Sequence, residues 1–291
     1  MISEKFAAGS GNIPVAIKQE HAWESKSSLG APMRPSPLME LDGQAINVSD
    51  LNQAVDLVIG RLAYATSFLV LALNLDGLVK RRRSPELREA YARAEFVTAD
   101  GFPIVALGHR RGCRLQRATG ADLIEPLCAA AARRGLPVFL MGSTFPVLSA
   151  SARRLITACP GLQISGVYAP PPNFTIDSAF GEEAIALVRE SGARLCFVAL
   201  GAPLQERFAL RALTVTSSVA FIAVGAGLDF LAGARARCPR ILQRANLEWA
   251  WRLINEPRRL WLRYARCVVL LVELWLNELR NGNKRQLIPN R

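Results

Sequence analysis

Histidine is almost missing from this chain of 291 residues: only His21 and His109 occur. A His-ligated metal centre and a Ser-His-Asp triad are therefore poorly supported. His109, between Gly108 and Arg110, reads as a solvated loop residue. The six cysteines never stand as CxxC, so neither a disulfide framework nor a zinc site is indicated. They read as buried thiols of a protein kept in a reducing compartment. GxGxxG and Walker A sequences are absent, which leaves a nicotinamide dehydrogenase unsupported and offers no P-loop. No DxD sequence occurs either, which argues against a route that holds a divalent metal through such a pair. Long apolar runs are lacking as well. The stretch 62–73 is broken by Tyr64, Thr66 and Ser67, and 267–276 contains Glu273. Both fall short of the roughly 20 apolar residues that a bilayer span needs. The N-terminus shows no apolar h-region, so neither a signal peptide nor a transmembrane helix is expected. Binding to a membrane surface stays open.

Half of the residues are hydrophobic (51%) and 21% are charged, which rules out a disordered, collagen-like or coiled-coil chain. The length allows one large domain or two small ones, with a sizeable core. Lys and Arg total 36 against 24 Asp and Glu, a formal charge of +12.

Residues 1–40 are rich in Ser, Gly, Pro and Lys without periodicity, and read as a mobile N-terminal extension. From Leu41 strand-like and helix-like segments alternate. Ser49 is positioned to cap a helix that lines up Leu51, Val55, Val58 and Leu62. An apolar run over 68–73 ends at Asn74, and Ser84-Pro85 opens a helix. Strands are expected over 95–99, 137–141, 162–167, 194–200 and 219–224. Helices are expected over 120–134, 145–158, 178–190 and 204–213, with a proline-rich loop over 169–173. This alternation favours an α/β fold, a parallel sheet flanked by helices over 41–235. Sites in such sheets form at the carboxyl ends of strands. Asn74, Asp100, Gly142, Gly201 and Gly225 all fall there.

Chemistry concentrates in a few of these positions. Asp100, followed by Gly101, is a strand-end carboxylate that could take a proton from a hydroxyl, or simply mark a turn. Arg117 could hold a phosphate bidentately, or be a surface charge, and Asp122 could cap the helix that follows. Gly201-Ala202-Pro203 leads into a helix whose first turn carries Gln205, a layout that can offer backbone N–H groups to phosphate oxygens. Gly225-Ala226-Gly227 is a similar junction.

The end of the chain is different in kind. Residues 235–266 hold nine Arg, no Lys and two acids, a net +7. Trp249, Trp251, Trp261 and Trp275 lie in or near this stretch. Glu256-Pro257 starts a helix on which Arg259, Arg263 and Arg266 share a face, beside a stripe of Leu260, Tyr264, Val268, Leu271 and Trp275. A solvated helix pair with a docking face, an anionic membrane contact and a nucleic-acid contact are the three readings. The mixture of Arg with Trp and Leu suits a lipid interface best, and no nucleic-acid-binding motif occurs. Residues 236–291 are accordingly read as a basic amphipathic appendage.

Taken in order, several segments resemble the WecG/TagA/CpsF family of bacterial glycosyltransferases. They are Asn74-Leu75-Asp76, Ala99-Asp100-Gly101-Phe102-Pro103, Gly120-Ala121-Asp122-Leu123, Val138 to Gly142, Gly201 to Glu206, Val224 to Gly233, and Leu247-Glu248-Trp249 through Glu256-Pro257-Arg258-Arg259. The resemblance covers about residues 41–265. It implies a Rossmann-like core with a C-terminal helical appendage. The implied activity is inverting, metal-independent hexosyl transfer from a UDP-sugar to a polyprenyl-diphosphate-linked sugar in cell-surface polysaccharide synthesis. The implied location is cytoplasmic, peripheral on the inner membrane face, with no cofactor. By the same resemblance Asp100 is the base, Arg117 steadies the leaving diphosphate, and Asn74 and Gln205 lie in the substrate pocket, to which the strand-end glycines Gly142, Gly201 and Gly225 are assigned by their position. Arg252, Arg258, Arg259 and Arg263 meet the acceptor diphosphate or lipid head groups. Ala72 stands where the family often has Thr, Arg207-Phe208 where it often has Lys-Trp, and Cys238 where Ala is common. These departures leave the donor sugar open, and a homo-oligomer is also left open. A non-catalytic basic scaffold of a polysaccharide assembly complex is the alternative.

Overall fold

The computed structural model describes residues 34–239, 241–242 and 248–285. A short antiparallel hairpin, β1 (Met39–Leu41) and β2 (Gln44–Ile46), precedes the main sheet. The sheet strands are β3 (Phe68–Leu73), β4 (Phe96–Ala99), β5 (Val138–Gly142), β6 (Ile164–Tyr168), β7 (Leu195–Ala199) and β8 (Ala220–Ala223). All pair in parallel in the order β4-β3-β8-β7-β5-β6. Around them lie α1 (Leu51–Arg61), α2 (Leu75–Arg83), α3 (Pro85–Arg93), α4 (Phe102–Arg110), α5 (Gly120–Arg134) and α6 (Phe145–Ala158). They continue with α7 (Ala179–Glu190), α8 (Leu204–Ala212), α9 (Gly227–Leu231), α10 (Glu248–Asn255) and α11 (Pro257–Arg285). This is the expected α/β, Rossmann-like architecture with a helical C-terminus.

Strands β3, β5, β7 and β8 read as unbroken apolar runs because both faces of the sheet are covered there, whereas β4 carries Thr98 and the half-buried edge strand β6 carries Ser165 and Gly166. On β3, Leu69, Leu71 and Leu73 enter one core cluster while Phe68 and Val70 enter the other. The first cluster includes side chains from α2, α3, α4, α7, α8 and α11; the second is packed by α1, α5, α6 and α9. Five of the six cysteines are buried and all are free, with Cys113 half-buried. Burial pushes the Cys267 thiol up to about 11.

Several local expectations change. β1 begins at Met39, inside the stretch read as a mobile extension; residues 1–33 of that stretch lie outside the described residues. Asp50, not Ser49, caps α1, accepting from the Gln53 N–H, and Ser49 Oγ donates to Asp50. Thr119, not Asp122, caps α5; Asp122 sits in the first turn, where Thr119 Oγ1 donates to it. His109 is no loop residue: it lies in the last turn of α4, with Nε2 2.7 Å from the Leu115 carbonyl oxygen. Helices α2 and α4 were not expected at all.

The last helix, α11, has 29 residues and is about 43 Å long at 1.5 Å per residue. It lies along α2. Its docked face is Leu260, Cys267, Leu270 and Leu274, spaced 7, 3 and 4 residues apart. The expected stripe is therefore split, since Val268 and Trp275 are exposed. Ion pairs fix the helix: Arg263–Asp76 at 2.9 Å, Arg82–Glu273 at 2.7 Å, and Arg111–Glu278. Among the described residues no helix is long and apolar enough to cross a membrane.

Close packing at the carboxyl edge of the sheet makes one glycine decisive. A Cβ on Gly120 would lie 2.1 Å from the Ala223 carbonyl oxygen, a backbone atom that cannot step aside. Gly120→Ala is expected to cost about 3 kcal/mol. Gly60, in α1 with nothing near its missing Cβ, gives the contrast. Gly60→Ala is expected to raise stability by up to about 1 kcal/mol. Urea unfolding of the two variants checks both signs.

Candidate functional site

Asn74 and Asp100 follow directly on β3 and β4. Those strands pair in parallel with Leu73 opposite Ala99, so both residues emerge side by side at the same edge. The Asp100 N–H continues the ladder, donating to the Leu73 carbonyl at 2.8 Å. Asn74 also caps α2: its Oδ1 accepts from the Gly77 N–H at 2.8 Å. That bond fixes the amide, so Nδ2 donates to Asp100 Oδ2 at 3.0 Å. Gly101 holds φ at 89°, a left-handed value suited to glycine, and turns the chain away into α4. The product is a carboxylate with one oxygen held by an amide donor, able to accept a hydroxyl proton.

Helix α2 ties this pair to the next strand ends. Lys80 Nζ donates to the Ala202 carbonyl at 3.2 Å, and Lys80 pairs with Asp76 at 2.9 Å. Asp76 also receives Arg263 from α11, two residues beyond Asn74. Gln205 Oε1 accepts from the Gly225 N–H at 3.0 Å, joining the turns after β7 and β8. The other end of the Gln205 amide donates to Glu206 Oε1 at 2.8 Å. Gln205 is buried and engaged with the protein at both ends, so its part is to fix these two turns.

Strands β5 and β7 are neighbours whose connections leave in opposite directions, β5 toward β6 and β7 toward β8. That is a topological switch point, where open α/β sheets bind ligands. Gly142 ends β5 with φ at 108°, and a Cβ there would lie 2.4 Å from the Ala199 carbonyl oxygen. Ser143 follows with φ at 50°, uncommon for a residue with a side chain, and its Oγ donates to Asp229 Oδ1 at 2.9 Å. Gly201 begins the turn after β7.

Arg117 lies in the loop held against the end of β4. Neighbouring Ala118 donates its N–H to the Ala99 carbonyl at 2.9 Å and accepts from Thr98 Oγ1 at 2.6 Å. Arg117 pairs with Asp122 at 3.4 Å and with Glu248 of α10 at 3.2 Å. Burial works against the Asp122 carboxylate, but Arg237, Arg117 and Thr119 outweigh it and hold its pKa below the ordinary value. Arg258 is exposed at the start of α11, while the side chains of Arg252 and Arg259 lie outside the described residues.

Asp76, Lys80, Ser143, Glu206 and Asp229 were missed from sequence. All but Lys80, which lies one helical turn beyond Asp76, adjoin or belong to a segment already singled out, and it is the tertiary contact that gives each a role. Glu206 is the most unusual. It is 4% exposed, and its Oε2 has no hydrogen-bond partner among the described residues. Burial pushes its carboxyl up; the Gln205 bond and Lys80 oppose this without cancelling it.

A parallel sheet flanked by helices, with a held carboxylate and a switch point at its carboxyl edge, defines an α/β protein of the Rossmann-like class, in which the carboxyl edge is the usual place for ligands. Residues 39–285 match the glycosyl transferase WecG/TagA/CpsF family, and the chain belongs to that family. Its membership supports transfer of a glycosyl group between a sugar donor and an acceptor.

The raised carboxyl of Glu206 carries a stability prediction. A folded pKa above the unfolded value means the folded chain holds the proton more tightly. The contribution of Glu206 is then most favourable below the ordinary value of 4.5 and declines as pH rises above it. Glu206→Gln is expected to remove that decline, raising the unfolding free energy at about pH 7 relative to that at about pH 4. Urea unfolding at both pH values reads it; an unchanged difference would show that Glu206 ionises freely in the folded chain.

Proposed function

We propose that this chain is an inverting, metal-independent glycosyltransferase. It moves a sugar, an N-acetylmannosamine type or another hexose, from a UDP-sugar to a sugar linked to polyprenyl diphosphate. The pathway is assembly of a bacterial cell-surface polysaccharide, and the place is the cytoplasmic face of the plasma membrane. The observation that carries this reading is the Asp100 carboxylate held by Asn74 at the strand-end crevice.

In one displacement, the acceptor hydroxyl gives its proton to Asp100 while its oxygen attacks the anomeric carbon. The bond from that carbon to the UDP oxygen breaks, and UDP leaves with the electron pair. One base, an oriented diphosphate and exclusion of water are what this step needs. Arg117, paired with Asp122 and Glu248, exchanges one carboxylate for the leaving diphosphate in this reading. The turns at Gly142, Gly201 and Gly225, braced by Gln205, shape the donor side. The metal-independent reading rests on the absence of a DxD pair in the sequence.

The acceptor side falls to the C-terminal helices. Arg263 reaches Asp76 beside the Asn74 cap, and Arg252, Arg258 and Arg259 lie on the same basic segment. Away from the core, α11 exposes Trp261, Leu262, Val268, Val269, Val272, Trp275, Leu276 and Leu279. An apolar face of this extent beside arginines suits an interfacial helix on an anionic membrane.

The test is a transfer assay over a panel of UDP-sugars with short-chain polyprenyl-diphosphate sugars as acceptors, in EDTA. Transfer from one donor is expected, at a rate unchanged by EDTA and with an inverted anomeric centre. Activity restored only by a divalent cation, or a retained anomeric configuration, would contradict the mechanism. Failure to transfer from any donor by a folded, membrane-bound protein would favour the scaffold reading.

A further inference from the structure

We propose that the groove between the end of α2 and α11 binds the phosphate headgroup of an anionic glycerophospholipid. The proposal rests on the reading that α11 lies against a membrane. The groove has a volume of about 310 Å³, and its lining includes Val79, Arg82, Arg83, Leu262, Arg266 and Val269. That space suits a glycerophosphate group rather than a whole lipid.

Charge on the groove is not balanced within the protein. Arg82 is matched by Asp42 at 2.7 Å and by Glu273, the one acid on the lining, also at 2.7 Å. Among the described residues no carboxylate pairs with Arg83 or Arg266, which face the same space from the two helices. The neighbours of Arg83 in the basic run are otherwise engaged. Lys80 holds Asp76 and Ala202, and Arg81 donates to the carbonyls of Asp42 and Gly43 at 2.8 Å. Two unmatched guanidinium groups across a cleft form a fork for phosphate oxygens.

The rest of the lining is apolar, and it runs out onto the exposed face of the helix. Leu262 and Val269 both line the groove and stand 61% and 69% exposed. A free phosphate would satisfy the arginines alone, and an apolar peptide the leucine and valine alone. A phosphate carrying acyl chains satisfies both. Distance separates this site from the catalytic pair. Arg83 lies nine residues beyond Asn74 on α2, about 13 Å along the helix axis at 1.5 Å per residue. None of the groove's lining comes from a strand-end turn, so the occupant is a membrane lipid and not the reacting acceptor.

The experiment titrates the full chain with dihexanoyl-phosphatidylglycerol below its micelle concentration and, separately, with inorganic phosphate. Flotation runs in parallel with phosphatidylcholine vesicles with and without phosphatidylglycerol. Saturable binding of one lipid per chain is expected, at least tenfold tighter than phosphate. Arg83→Gln with Arg266→Gln should weaken it at least tenfold. Arg153→Gln with Arg189→Gln, which removes the same charge from exposed positions on α6 and α7, should leave it unchanged. Phosphate binding as tightly as the lipid, or equal losses in both pairs, would overturn the proposal. Flotation with anionic vesicles without short-chain lipid binding would overturn the groove and leave the membrane reading standing. Absence of both would overturn the two together.

Discussion

The parallel pairing of β3 with β4 is the constraint on which the site depends. It sets Leu73 beside Ala99, so that the next residue on each strand, Asn74 and Asp100, must emerge together. Asn74 then does two things with one amide: it caps α2 and it holds Asp100. Starting α2 at that point places Asp76 and Lys80 one turn apart, and from them run the contacts to Arg263 and to the Ala202 turn. A slip in the β3–β4 register would separate the carboxylate from its donor and misdirect the helix that links the core to α11.

Electrostatics do much of the assembly in this arginine-rich chain. Acids are the scarcer charge, and several of them sit where a C-terminal helix meets the core: Asp76 and Glu273 between α2 and α11, Glu278 toward Arg111, and Glu248 toward Arg117. Most of these pairs are partly exposed, where a single ion pair contributes about 1 kcal/mol or less. Their value is in placement. Burial of Leu260, Cys267, Leu270 and Leu274 supplies the docking energy, and the pairs select the angle and register of α11. The helix is thereby left two-sided, with one face committed to the core and the other, rich in Trp and Val, facing outward.

Most of the sheet was legible from sequence because the doubly covered strands β3, β5, β7 and β8 are apolar throughout and turn signals follow them. The strand-end positions of Asn74 and Asp100 were legible for the same reason. Their bond was not, because it joins residues 26 apart through a strand adjacency that no local pattern encodes. Helix α2 escaped notice because it follows its strand with no intervening loop, contains Gly77 and ends in four basic residues. Helix α4 escaped because it opens at a glycine with positive φ and a proline in its first turn. The 3.6-residue period of α11 was readable, but its phase was not: the helix buries Cys267 and Leu270 and leaves the larger Trp275 exposed beneath the Arg110 guanidinium, 6.0 Å from the ring centre. In the sequence Glu206 stands only as the last residue of the segment from Gly201. Only the packing of α8 against the sheet shows it to be buried.

The central claim is that the Asp100 carboxylate removes the proton of the acceptor hydroxyl. The most direct measurement is the initial rate of glycosyl transfer by Asp100→Asn, alongside its thermal unfolding. Asparagine keeps the shape and can still accept from Asn74, but it cannot take the proton. A loss of about 100-fold or more with an unchanged melting temperature is the predicted result. A near-wild-type rate from the folded variant would contradict it.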